Sequence, residues 1–215
     1  MEKCQHKTET LVNFLANESY SDYQNIKLVL GYKNKSTIYR LLKKLLTEKK
    51  IHKCDYQNKY TLYGLTPLGI NHCHVPNMTN AFRVSQLKDR DIENHLFKQK
   101  VRHHFRIGEW ISIKTSEWKK TYPTLKKPTY LIKKENILIA VELDTKIQNK
   151  KGLYRRLDQW KEWEESGLFE KILYVTDDPI KAHYIKIRMK NHVMNNSNML
   201  AIHSIDEIEK YSESA

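Results

Sequence analysis

The sequence predicts an α/β (α+β) protein in two parts: an N-terminal winged helix-turn-helix, then a mixed sheet flanked by helices. Three observations lead there. Apolar residues recur at helical spacing three times within the first 46 residues, and two short strand-like runs follow at once. From residue 89 onward, apolar strand-like runs alternate with helical patterns. The expected boundaries are 1–75 for the first domain, 76–87 for a linker, 88–211 for the second domain and 212–215 for a frayed tail.

Taken in order, Thr8 to Ala16 carries Leu11, Val12, Phe14 and Leu15 at helical spacing, and Asn17–Ser21 reads as a polar turn. A second short helix runs through Tyr23, Ile26, Leu28, Val29 and Leu30, and Gly31 ends it. Ser36 is placed to cap a third helix, in which Ile38, Leu41, Leu42, Leu45 and Leu46 form one apolar stripe. HKCDY and KYTLY are then strands joined by a tight turn at Gln57–Asn58. A further helix opens at Thr66–Pro67. This helix, helix, helix, hairpin order is the basis for the winged helix-turn-helix.

HVPNMTNAFRVS (74–85) loses all periodicity and reads as the connection between domains. The second part is read as a helix at 90–106, strands near 107–115, 128–133 and 136–145, and a helix at 150–166. A strand at 171–176, a helix at 179–194, a short strand at 199–203 and a helix at 205–211 complete it.

Composition narrows the partners. The 38 Lys and Arg residues outnumber 25 Asp and Glu, giving a formal charge of +13 that favours a polyanion, with nucleic acid first. No apolar run is long enough to cross a bilayer, which speaks against a membrane partner. The odd count of three widely spaced cysteines suits a reducing cytoplasm better than a disulfide framework. Six glycines and no Walker or Rossmann pattern argue against nucleotide cofactors.

Winding the third helix puts Thr37, Tyr39, Arg40, Lys43 and Lys44 opposite its leucines. Those are residue types that read a major groove: Arg pairs with guanine edges, Lys and Tyr hold phosphates, and Thr meets a thymine methyl. Lys53 and Lys59 on the hairpin add backbone contacts. The competing reading is an ordinary solvated face.

The second candidate site is the run ILIAVELDTK (137–146). Strand alternation puts Glu142, Asp144 and Lys146 on one face, an unusual load for an apolar strand. The spacing matches the PD-(D/E)xK nuclease arrangement. There, acids hold Mg or Mn, the metal activates a water, and the Lys steadies charge on the phosphate. Lys150, Lys151 and Arg155 follow as a basic stretch suited to a DNA backbone. The competing reading is an edge strand that uses its charges to prevent aggregation, with Lys146 paired to its neighbours.

The order ENHLFKQKVR (93–102), SEW (116–118), KKPTYLI (126–132), IAVELDTK (139–146), RRLDQW (155–160) and ILYVT (172–176) resembles the plasmid replication-relaxation family, which includes MobC-type mobilization relaxases. The resemblance covers most of the chain. It implies a winged helix joined to a restriction-endonuclease-like domain, with His95 at the family's helix histidine and Glu142 and Asp144 at its acids. Arg156 and Trp160 fall on its following helix. Where the family's preceding strand starts Pro-Asp, this chain has Pro128-Thr129, and Thr is a poor metal ligand beside a carboxylate.

Two functional expectations follow. In the first, a relaxase-like mobilization protein reads duplex DNA through the winged helix and nicks it. Glu142, Asp144 and Glu93 then hold the divalent metal, and Lys146 and His95 act in the chemistry. In the second, a non-catalytic DNA-binding accessory factor or regulator uses the nuclease-like domain for dimerisation or backbone contact. Other mobilization proteins are expected partners in either case. His103 and His104 are adjacent on a helix and so face different directions, while His52 with Cys54 and His72-Cys73-His74 lack the spacing of a zinc site.

Overall fold

A computed structural model describes residues 2–32, 34–73, 81–105, 108–111, 114–144, 150–190 and 199–208. The chain divides into two units, Met1–His103 and His104–Ala215.

In the first unit, α1 (Glu2–Glu18) buries Leu11, Val12, Leu15 and Ala16. It is followed by a short strand, β1 (Tyr20–Asp22), where the sequence suggested only a polar turn. Three residues carry too little alternation to be read alone; β1 exists because it pairs antiparallel with β3. Asp22 then caps α2 (Tyr23–Leu30), its Oδ1 accepting from the Asn25 N–H at 2.8 Å. Gly31, at φ 64°, closes α2 in the left-handed region, as its sequence position implies.

The stripe of Ile38, Leu41, Leu42 and Leu45 is buried on α3 (Lys35–Thr47). Its cap is Asn34, not Ser36: the Asn34 Oδ1 accepts from both the N–H and the hydroxyl of Ser36. Strands β2 (Ile51–Tyr56) and β3 (Tyr60–Leu65) form the expected hairpin, turned by Gln57 and Asn58 at φ 50° and 56°. The sheet order is β1-β3-β2, all antiparallel. Thr66 caps the short α4 (Pro67–Ile70).

Helix α5 (Asp89–His104) departs from expectation in its allegiance. The sequence placed it at the head of the second domain, after a linker at 76–87; it packs instead within Met1–His103. Ile92 and Leu96 join Tyr20, Leu62 and Phe82 in one apolar cluster. Polar groups complete the join: Gln99 Nε2 donates to Tyr20 O at 2.6 Å, the Ser21 hydroxyl donates to Gln99 Oε1 at 2.6 Å, and Arg102 donates to Glu18 at 2.6 Å. A linker read from lost periodicity cannot reveal such a return, because these polar partners lie 78 to 84 residues apart in sequence.

The described residues of the second unit form a mixed sheet in the order β4-β5-β6-β7-β8. β4 (Glu109–Ile111), β5 (Tyr130–Lys134) and β6 (Ile137–Asp144) pair antiparallel, while β6, β7 (Lys171–Thr176) and β8 (Leu200–Ser204) run parallel. Between β4 and β5 stands a helix not read from the sequence, α6 (Thr115–Thr121). Its seven residues bury one side chain, Trp118, too little for a periodic signal. Helices α7 (Lys150–Glu165) and α8 (Pro179–Lys190) supply the parallel crossovers. Leu153, Leu157, Trp160 and Trp163 of α7 pack with Ala140, Ile172 and Tyr174 of the sheet. Among the described residues no helix is long and apolar enough to cross a membrane.

Candidate functional site

Strand β6 is central to the sheet, with β5 on one side and β7 on the other. Ala140, Glu142 and Asp144 share the face that continues into the α7 core. Glu142 and Asp144 are therefore buried, at 8% and 7% exposure, where the apolar face gives way to polar groups. Parallel register sets Glu142 opposite Tyr174 and Asp144 opposite Thr176. Thr129 stands one step beyond the last β5–β6 pair, Tyr130 with Val141, and so faces Glu142.

Each acid has its own set of donors. Glu142 receives the Thr129 backbone N–H at Oε1 (3.1 Å) and the Thr129 hydroxyl at Oε2 (3.2 Å). Burial pushes the Glu142 carboxyl above its ordinary value, against the pull of Arg156 and the Thr129 donors. Asp144 receives the Tyr174 hydroxyl at 2.8 Å and the Arg156 guanidinium at 3.2 Å, both on Oδ2. The Lys181 ammonium lies 3.8 Å from Oδ1 and donates to the Asp144 carbonyl at 3.3 Å. It also lies 3.7 Å from Asp177. Burial, and then the Asp144 charge, raise the Tyr174 phenol well above its usual range, so it stays a donor at any physiological pH. A cavity of about 20 Å³ remains, bounded by Asp144, Arg156, Tyr174 and Lys181 with Leu153 and Ile185 as apolar walls.

A divalent ion does not fit this arrangement as it stands. Among the described residues no three His, Cys, Asp or Glu side chains gather closely enough to hold a metal. Thr129 donates to Glu142 instead of offering a lone pair, and Asp144 already faces two cations. Mg²⁺ prefers about six oxygen ligands and keeps several waters.

The other residues singled out in the sequence fall as follows. Lys146 lies outside the described residues, as do the side chains of Lys150 and Lys151, although α7 begins at Lys150. Arg155 is exposed on α7, and Arg156 beside it turns inward to Asp144. Trp160 is buried edge-on against Tyr174, with ring centres 5.2 Å apart. Glu93 and His95 sit on α5 in the first unit. Glu93 accepts from Lys59 and from the Tyr60 hydroxyl at the hairpin. His95 Nε2 lies 2.8 Å from the Glu18 carbonyl, and burial holds its pKa below the ordinary value. Both therefore have structural partners within Met1–His103.

On α3, Tyr39, Arg40, Lys43 and Lys44 are exposed, while Thr37 is half-buried. Tyr39 stacks on Tyr23 at 4.9 Å. Lys44 pairs with Glu48 at 3.7 Å, and Lys53 pairs with Asp55 at 2.8 Å. Arg40 and Lys43 have no carboxylate partner among the described residues.

Sequence reasoning missed Tyr174 and Lys181. The available signal was VTDDPIK (175–181), a strand end followed by Asp-Asp-Pro, which starts a helix within one turn of the strand tip. The Asp178 carboxylate accepts from the N–H groups of Ile180 and Lys181, so Lys181 stands in the first turn of α8 beside the ends of β6 and β7. Comparison of the chain with protein-family models, with curated proteins and with solved structures finds no match.

Proposed function

We propose that this chain is a cytoplasmic duplex-DNA-binding protein of the mobilization type, in which a winged helix reads DNA and a nuclease-like unit accompanies it. The carrying observation is the outer face of α3. Tyr39, Arg40 and Lys43 stand in solvent, and the two cations lack carboxylate partners among the described residues. Cations held in water away from acids are available to exchange counterions with phosphates, and a helix presenting Arg next to Tyr suits a major groove. The α-β-α-α-β-β order of the first unit supports the winged-helix reading, with the β2–β3 hairpin as the wing.

For the second unit, the site geometry favours the non-cutting alternative, an accessory or regulatory role among other mobilization proteins. The specific support is the engagement of both acids: Thr129 on Glu142, and Arg156, Tyr174 and Lys181 on Asp144.

Duplex binding of the Arg40→Ala/Lys43→Ala protein tests the first part. Affinity should fall at least about tenfold, and the slope of log K against log salt should flatten by about two. Unchanged affinity and slope would remove the α3 assignment. Nicking of supercoiled plasmid in Mg²⁺ or Mn²⁺ tests the second part: the wild-type protein should leave the plasmid intact. Metal-dependent nicking that disappears in Asp144→Ala and Lys146→Ala would restore the relaxase reading.

A further inference from the structure

The geometry points to Lys181 as a tethered cation that stands in for a divalent ion at Asp144, closing the acid strand to metal. This deepens the non-cutting reading of the second unit and rests on it. It is independent of the DNA-binding face of α3.

Three observations carry it. The first is anchoring. The Lys181 side chain is only 5% exposed, and its ammonium is fixed by the Asp144 carbonyl, the Asp144 carboxylate and Asp177. A buried ammonium needs acids and carbonyls in place of its lost water, and those three oxygen groups surround this one.

The second observation is charge. A metal bound to Asp144 Oδ1 at about 2.1 Å would lie no more than about 6 Å from the Lys181 nitrogen, given the 3.8 Å ion pair. Bound to Oδ2, it would lie within about 5 Å of the Arg156 guanidinium, given that pair's 3.2 Å. Either oxygen brings two added charges against a fixed cation. The buried carboxylate needs compensation, and the protein supplies it from α7 and α8.

The third observation is space. The cavity left among Asp144, Arg156, Tyr174 and Lys181 is about 20 Å³. That holds one water molecule and not an ion with several. The Lys181 stem fills the volume a partly hydrated ion needs, so removing it should open both the space and the charge.

The test is a Mn²⁺ titration followed by electron paramagnetic resonance of the unbound ion, with thermal unfolding in Mn²⁺ and in EDTA alongside. Wild-type protein should take up no Mn²⁺ at Asp144, and its midpoint should be the same in both buffers. Lys181→Ala should gain one Mn²⁺, bound at least about tenfold more tightly than any residual Mn²⁺ on the wild-type protein. That ion should be lost again in Lys181→Ala/Asp144→Asn. Lys181→Gln, which keeps most of the stem, serves if the alanine protein does not fold, and should show a smaller gain.

Two outcomes overturn the inference: one Mn²⁺ on wild-type protein that vanishes when Asp144 is replaced, or no gain in either Lys181 variant. Neither touches duplex binding by α3. Conversely, loss of the α3 assignment leaves the metal titration unaffected, so the two readings fail separately.

Discussion

The cations of α3 and the cations around Asp144 are the same residue types in opposite settings. Arg40 and Lys43 stand in water with no carboxylate partner among the described residues, whereas Arg156 and Lys181 are sunk against one buried aspartate. A formal charge of +13 does not say which cations a polyanion can reach. Position does: an exposed cation is available for exchange, and a buried pair is part of the fold. The comparison is open to four tests.

The largest effect is expected at Asp144. Asp144→Asn leaves Arg156 and Lys181 facing a neutral amide inside the second unit. Breaking a buried pair in this way costs about 3–5 kcal/mol. Denaturant unfolding should show a matching fall in stability. A loss under about 1 kcal/mol would mean that water already compensates these charges.

Arg40→Ala/Lys43→Ala should behave in the opposite manner. Stability should stay within about 0.5 kcal/mol of wild type, because both side chains are exposed and neither is paired with a carboxylate among the described residues. Duplex affinity alone should fall. If both substitutions lowered stability as far as Asp144→Asn, the division between reachable and structural charge would collapse.

How much of this was legible follows the same division. The α3 stripe, the hairpin and the acid face of β6 are local: they rest on spacing within one element, and the structure has them near where the sequence set them. The pairing of Thr129 with Glu142 was approachable too, since β5 and β6 are joined by a short turn. What could not be read is who completes each charge. Lys181 reaches Asp144 across 37 residues through a parallel crossover. Glu93, in the ENHLFKQKVR stretch that carries the family resemblance, was set beside Glu142 and Asp144 as a metal ligand. Its carboxylate instead meets Lys59 and Tyr60, a consequence of α5 docking on β1 and β3. Short elements such as β1 and α6 were invisible for a related reason: tertiary partners create them.

Glu142 offers a smaller effect with a distinctive pH signature. Burial raises its carboxyl above the ordinary 4.5, so between 4.5 and that higher folded value the folded state holds more of this proton than the unfolded chain does. The contribution of this group is fully present below 4.5 and declines as pH rises through the higher folded value. Glu142→Gln removes that decline. Its Oε1 still accepts from the Thr129 N–H, and the Thr129 hydroxyl can turn to accept from the amide. At neutral pH the Gln protein should be at least as stable as wild type, and its stability should rise more steeply from acid to neutral pH. A Gln protein that is less stable at neutral pH but matches wild type in acid would mean that Glu142 works as a charged group, like Asp144.

The smallest effect is expected where the two settings meet, at the hairpin. Lys59 was expected to touch a DNA backbone, yet its ammonium is engaged by Glu93 on α5, which also accepts from the Tyr60 hydroxyl at 2.6 Å. Lys59 is half exposed, so water and salt weaken this contact, unlike the one at Asp144. A phosphate approaching the hairpin must compete with the Glu93 carboxylate for the same ammonium. Glu93→Gln removes the competitor's charge while keeping an acceptor for Tyr60. Duplex affinity should rise, by less than about fivefold for an exposed pair, and the gain should shrink as salt increases. Lys59→Ala in the same background should cancel the gain. A gain that survives that second substitution would show that Glu93 acts through overall repulsion of DNA and not through the hold it has on Lys59.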